Sequence, residues 1–153
     1  MVTVVKKEDL QSYVGKELGT SEWLLIDQPR INMFAEATND HQFIHVDEKA
    51  AAQTPFGGTI AHGFLSLSLL SFLAGSLAII PEGMQMGINY GLNKVRFISP
   101  VPVNSEVRAS AVLAGMEEKS PGKFFMTLAV TIEIKGEEKP ALIAEWLTLW
   151  VSG

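Results

Sequence analysis

From residue 63 to residue 80 the chain carries Phe64, Leu65, Leu67, Leu69, Leu70, Phe72, Leu73, Leu77, Ile79 and Ile80. Drawn as a helix, this stretch is apolar on every face. Such a helix needs cover all round, so the rest of the chain has to enclose it. A membrane span is the competing solution, because about 18 apolar residues begin to cross a bilayer. Ser66, Ser68, Ser71, Gly75 and Ser76 interrupt the run and no basic residues flank it, which favours a buried core helix.

The cover lies downstream. Beyond Pro81 the apolar period changes from helical to alternating, and residues 84–90, 94–98, 106–117, 124–135 and 141–151 read as strands rich in Val, Ile, Phe, Thr and Trp. Gly91, Pro100, Pro102, the turn around Pro121 and the turn at 135–140 separate them. Long strands joined so closely imply an antiparallel sheet, and the economical packing wraps it around the upstream helix. The fold class is α+β, and residues 1–153 read as a single domain without repeat or linker.

Upstream, residues 7–13 suit a short helix stopped by Gly15, and residues 23–26 a strand. Asp27 then caps a helix with Pro29 in its first turn and Ile31, Phe34, Ala35 and Thr38 on one face. That helix delivers Asp40 at its end. Residues 39–47 form a loop anchored by Phe43, Ile44 and Val46, after which Asp47 caps a short helix over 48–53, ending before Pro55. Gly57 and Gly58 permit unusual backbone or close approach to a ligand.

Composition removes several kinds of chemistry. Without cysteine there is no disulfide, thiolate ligand or thiol nucleophile. A net charge of −5 argues against nucleic acid as a partner. The N-terminus lacks the pattern of a signal peptide, and a cytoplasmic location is expected. No GxSxG elbow, GxGxxG loop, P-loop or HExxH helix occurs, so no cofactor and no metal is expected. The positive mean hydropathy suggests apolar surface covered by a second subunit.

All three histidines, His41, His45 and His62, fall between residues 40 and 63. Asp40 and His45, five residues apart, could hold one water between carboxylate and imidazole, a proton-transfer pair suited to neutral pH. The alternative is that Asp40 caps local N–H groups and His45 is a satisfied, half-buried side chain. Gly63 could aim its N–H at a ligand oxygen as an oxyanion donor, or serve only close packing. His62 could cap the helix, contact a ligand or bind metal. Ser71, two turns beyond Gly63, could reach the loop's polar groups or bond back to its own helix. His41 is expected to face solvent.

The ordered set FAEATNDHQFIHVD, DEKAAA and FGGTIAHGF, then the apolar helix and NYGLNKVRFISPVPVNSEVRA, resembles the MaoC-like, (R)-specific enoyl-CoA hydratase (hydratase 2) family. The likeness extends from about Gly19 to the end, and is strongest toward small bacterial members, some labelled nodulation protein N. It implies a hot-dog fold, an antiparallel sheet around a long buried central helix. It implies catalytic roles for Asp40 and His45, an oxyanion N–H at Gly63 and a supporting Ser71, with His62 in the same substrate-binding wall. The family pattern has Gly where this chain has Asn39, and Asn-Pro where it has Gln42-Phe43. The implied reaction is reversible hydration of a trans-2-enoyl-CoA thioester to the (R)-3-hydroxyacyl-CoA by a homodimer. The alternatives are a dehydratase or thioesterase acting on acyl carrier protein, or a non-catalytic acyl-CoA-binding protein.

Overall fold

The computed structural model describes residues 2–152. Strand β1 (Thr3–Val5) leads into a 3-10 turn at Lys7–Tyr13, then β2 (Glu17–Thr20) and β3 (Leu24–Ile26). Helices α1 (Gln28–Thr38), α2 (Phe43–Val46) and α3 (Glu48–Ala51) follow. After a loop come α4 (Gly63–Ser68), α5 (Leu70–Leu73), a 3-10 turn and β4 (Ile79–Pro81). Four long strands close the chain: β5 (Met84–Phe97), β6 (Ser105–Ser120), β7 (Lys123–Ile134) and β8 (Leu142–Ser152).

The long strands pair antiparallel in the order β6-β7-β8-β5, with β2 and β3 both bonded to the outer edge of β6. Their alternation is as expected from the residue pattern. Val107, Ala109, Ala111 and Leu113 of β6, Met126, Leu128, Val130 and Ile132 of β7, and Leu142, Ala144 and Trp146 of β8 point inward. There they meet Leu65, Leu70, Leu73, Ala74 and Leu77 of the helical segment in one continuous core. At about 25 cal/mol per Å² of apolar surface removed from water, this sheet-on-helix contact is the main source of stability.

The structure corrects three sequence expectations. Residues 63–80 are not one helix buried all round: the chain bends at Leu69, whose carbonyl accepts from both Phe72 and Leu73, and tightens into a 3-10 turn at Gly75–Leu77. One side of this segment packs on the sheet, whereas Phe64 and Phe72 are 68% and 66% exposed. Gly91 does not end a strand either. β5 runs through it, absorbing irregularity as register shifts between Asn89 and Gly91 and between Leu92 and Lys94. Third, within the stretch 39–47 that reads as a loop, Phe43–Val46 form the one-turn helix α2; the short strands β1, β2 and β4 carry no clear alternation in the sequence, and β1 and β4 gain their order by pairing parallel with each other. Among the described residues no helix is long and apolar enough to cross a membrane.

Both anticipated caps form: Asp27 Oδ1 accepts from Arg30 N–H at 3.0 Å and Asp47 Oδ1 from Ala50 N–H at 3.0 Å. The other end of α1 is set by Asn39, in the left-handed region at φ 57°, from which Asp40 N–H reaches back to the Ala35 carbonyl. Asparagine is the side chain that best tolerates this conformation after glycine, so Asn39 preserves the turn in front of Asp40. Asn39→Ala is expected to lower stability by ~1 kcal/mol and Asn39→Gly to leave it nearly unchanged, as measured by urea denaturation.

Candidate active site

Three segments converge on His45. α1 ends in the turn that holds Asp40, exposed, with its Oδ1 accepting from Gln42 N–H at 3.3 Å. α2 is a single turn carrying His45, which is 6% exposed. The third segment runs from Thr59 to His62 and enters α4 at Gly63.

The His45 ring is held from several sides. Its Nδ1 lies 2.7 Å from the Ile60 carbonyl oxygen. A carbonyl only accepts, so Nδ1 carries the proton and Nε2 keeps its lone pair. Ile60 N–H donates in turn to the Ile44 carbonyl at 3.0 Å, zipping the third segment to α2. Behind them, Gln28 Nε2 donates to the His45 carbonyl at 2.8 Å, and its Oε1 accepts from the buried Thr59 hydroxyl at 2.5 Å. Gln28 sits one residue after the Asp27 cap, so the start of α1 braces the segment that its end places beside Asp40.

Burial pushes the His45 imidazole below its ordinary pKa of 6.5. The hydrogen bond to Ile60 opposes this, His62 adds to it, and the Asp40 charge opposes it. The net direction is downward, which keeps Nε2 unprotonated and basic at neutral pH.

His45, Gly63 and Ser66 line a cavity of about 320 Å³ whose walls include Phe56, Phe97 and Val101. A Cβ on Gly63 would sit 3.1 Å from two atoms of the Phe97 ring, so glycine is what lets Phe97 close against the start of α4. Gly63 N–H has no acceptor among the described residues. A larger cavity, about 580 Å³, lies on the outward face of the sheet between Thr20, Lys94, Ser110, Thr131 and Glu145. It reflects short side chains on that face, whereas the smaller cavity is the one that His45 and Gly63 line.

Of the residues singled out from sequence, Asp40, His45 and His62 come together; His45 and Gly63 line the cavity and Asp40 does not. His62 is 2% exposed and is not among the cavity-lining residues. Eight residues on from Gly63, at about 100° per residue, Ser71 sits about 80° round the helix; it is exposed on α5 and does not line the cavity. Ser66, buried and three residues after Gly63, lines it instead. The i, i+3 spacing could have pointed to Ser66, but nothing in the sequence singles out Gln28 or Thr59. His41 is exposed and bonded to Glu36 at 2.8 Å.

Asp40, His45 and His62 each present a donor atom within 4.8 Å of the others. The two imidazoles, however, are stacked at 24° with centroids 3.8 Å apart. Their in-plane lone pairs run side by side instead of converging, which does not suit tetrahedral metal binding.

The MaoC like domain matches residues 9–134, a span that includes Gln28, Asp40, His45, Thr59, His62, Gly63 and Ser66. The chain belongs to the MaoC-like dehydratase family. By family it is therefore a hydro-lyase. Nodulation protein N of Rhizobium leguminosarum bv. viciae is 51% identical over 142 residues, which are 92% of this chain and 88% of that one. The 3-hydroxyacyl-thioester dehydratase Z of Mycobacterium tuberculosis is 46% identical over 152 residues, 99% of this chain and 100% of that one. The solved (R)-hydratase from A. caviae, involved in PHA biosynthesis, superposes with a TM-score of 0.72 at 29% identity, covering 88% of this chain and 94% of that one. The MaoC-like chain thus has the hot-dog architecture expected from its sequence.

The lowered His45 pKa has a measurable consequence. An NMR titration of the imidazole nitrogens is expected to give a midpoint below 6.5; one above it would contradict the site electrostatics. Because the unfolded chain binds this proton more readily, the stabilising contribution is complete above pH 6.5 and declines as pH falls below it. His45→Gln should flatten that part of the stability profile.

Proposed function

We propose that this chain catalyses the reversible hydration of trans-2-enoyl-CoA thioesters to (R)-3-hydroxyacyl-CoA. The observation that carries the reading is the tautomer of His45: its Nδ1 proton is committed to Ile60, leaving Nε2 unprotonated on an imidazole that clusters with Asp40 and lines a cavity. Hydration needs a water delivered to C3, a proton delivered to C2 and stabilisation of the charge that develops on the thioester oxygen. Asp40 orients the water, His45 Nε2 takes its proton as the oxygen adds to C3, and that same proton is passed back through the pair, by way of Asp40, to C2, so that both groups end as they began. The free N–H of Gly63 faces the thioester oxygen as oxyanion donor, with Ser66 on the same wall.

Support also comes from the names of relatives. One is a 3-hydroxyacyl-thioester dehydratase and another an (R)-hydratase, the two directions of one reaction. The word thioester in the first leaves room for a second reading, in which the carrier is acyl carrier protein and dehydration is the working direction. For the CoA phosphates, Arg108 and Lys119 are already paired with Glu133 and Glu117, which favours Lys94, Arg96 and Lys123.

The active form is proposed to be a cytoplasmic homodimer of one-domain subunits. β5 is an edge strand of 14 residues bonded, among the described residues, only to β8; it exposes Met86, Ile88, Tyr90 and Leu92, and its Phe97 meets the exposed Phe64 with ring centroids 6.1 Å apart, while Phe72 is also exposed. Pairing with a second copy covers this edge and supplies the missing side of the helical segment. Sedimentation is expected to give a dimer at micromolar concentration, and a concentration-independent monomer would refute this.

Asp40→Asn and His45→Gln are each expected to lower crotonyl-CoA hydration by about two orders of magnitude or more with the fold intact. Loss of enoyl absorbance without thiol release, giving the (R) alcohol, is the expected result. Thiol release would mark a thioesterase, the (S) alcohol would contradict the assignment, and turnover only with carrier-protein substrates would establish the second reading.

A further inference from the structure

We infer that His62 is the positioning residue that fixes Asp40 and His45 relative to one another. The inference rests on the reading of that pair as the reacting groups. Asp40 is exposed at the end of a turn, and its side chain has one long hydrogen bond, to Gln42 N–H. Nothing in that contact sets its distance from His45. His62 sets it through two contacts made by one ring. Its Nε2 lies 3.0 Å from the backbone carbonyl of Asp40, 22 residues earlier in the chain. Since that carbonyl only accepts, Nε2 donates. The face of the same ring stacks on His45 at 3.8 Å.

The ring itself has little freedom. It is 2% exposed, lies 4.9 Å from the Phe34 ring of α1 and is peptide-bonded to Gly63. A single rigid side chain therefore registers three parts of the site: the Asp40 turn through a hydrogen bond, the His45 ring through stacking and the Gly63 N–H through the backbone. Its other nitrogen, Nδ1, is buried and has no hydrogen-bond partner among the described residues, so the bond to Asp40 is the polar contact that orients the ring. With its Nε2 given to the Asp40 carbonyl and its face to the His45 ring, His62 acts through its neighbours.

The test separates the two contacts. His62→Phe keeps a ring against His45 but has no donor for Asp40, whereas His62→Gln restores a donor at similar reach without the ring. With crotonyl-CoA, His62→Phe is expected to lower kcat by about 100-fold with KM changed less than about twofold, the penalty typical of a displaced reacting group. His62→Gln should recover about tenfold of that loss. Unchanged kcat in His62→Phe, with only the melting temperature altered, would overturn the proposal. So would a His62→Gln variant as inactive as His45→Gln, since that would make His62 a proton-transfer group itself.

Crystal structures of both variants keep the question separate from the substrate. In His62→Phe the donor atoms of Asp40 and His45 are expected to move beyond the 4.8 Å limit of the native cluster, and in His62→Gln to stay within it. If wild-type protein turned over no enoyl thioester, the hydratase reading would fall, and the crystallographic separation would still decide the role of His62.

Discussion

The site depends on the hydrogen bond between His45 Nδ1 and the Ile60 carbonyl. It settles which imidazole nitrogen is free, and it joins two segments 15 residues apart in the chain. Without it the ring could adopt either tautomer and turn about its side-chain bonds. With it, a weak base becomes a directed one. The surrounding contacts protect this bond: Ile60 N–H to the Ile44 carbonyl, Gln28 to the His45 carbonyl and Thr59 to Gln28. Each closes a buried polar group on another, as a water-poor site requires.

The same burial that makes these hydrogen bonds effective tunes the imidazole. Taking His45 out of water disfavours its charged form, and the neighbouring His62 pushes the same way. Asp40, which stays exposed, opposes them only weakly. A buried base beside an exposed carboxylate gives the two members of the pair different environments within hydrogen-bonding reach of one water. Phe97, packed against Gly63, adds an apolar wall to the cavity that His45 lines. The hot-dog sheet contributes by holding α4 in place, so that Gly63 meets the Asp40–His45 loop at the rim of the core.

Much of this architecture is legible in the order of the residues. The caps at Asp27 and Asp47 are readable because a capping carboxylate acts on N–H groups two or three residues away. The alternation of β6 to β8 is readable because side chains in a strand alternate faces whatever the strand pairs with. The departure at Asn39 keeps its meaning because asparagine takes the left-handed turn that glycine takes. Ser71 shows where such reasoning stops: a face drifts by about 80° over eight residues, and which side of the segment meets the cavity is set by its packing on the sheet, so Ser66 lines the cavity and Ser71 does not.

Local sequence therefore determined the elements, their caps, the family and the cluster of histidines and aspartates in one loop region. Tertiary structure alone decided which of those side chains meet, which nitrogen of His45 is free, that Ser66 lines the cavity and that Gln28 and Thr59 brace it. It also placed His62 behind His45 and left β5 and the outer side of the helical segment bare. The reason is range. Caps and alternation follow from interactions over a few residues, whereas tautomer, burial and ring stacking follow from contacts between segments 15 to 31 residues apart, which no local pattern encodes.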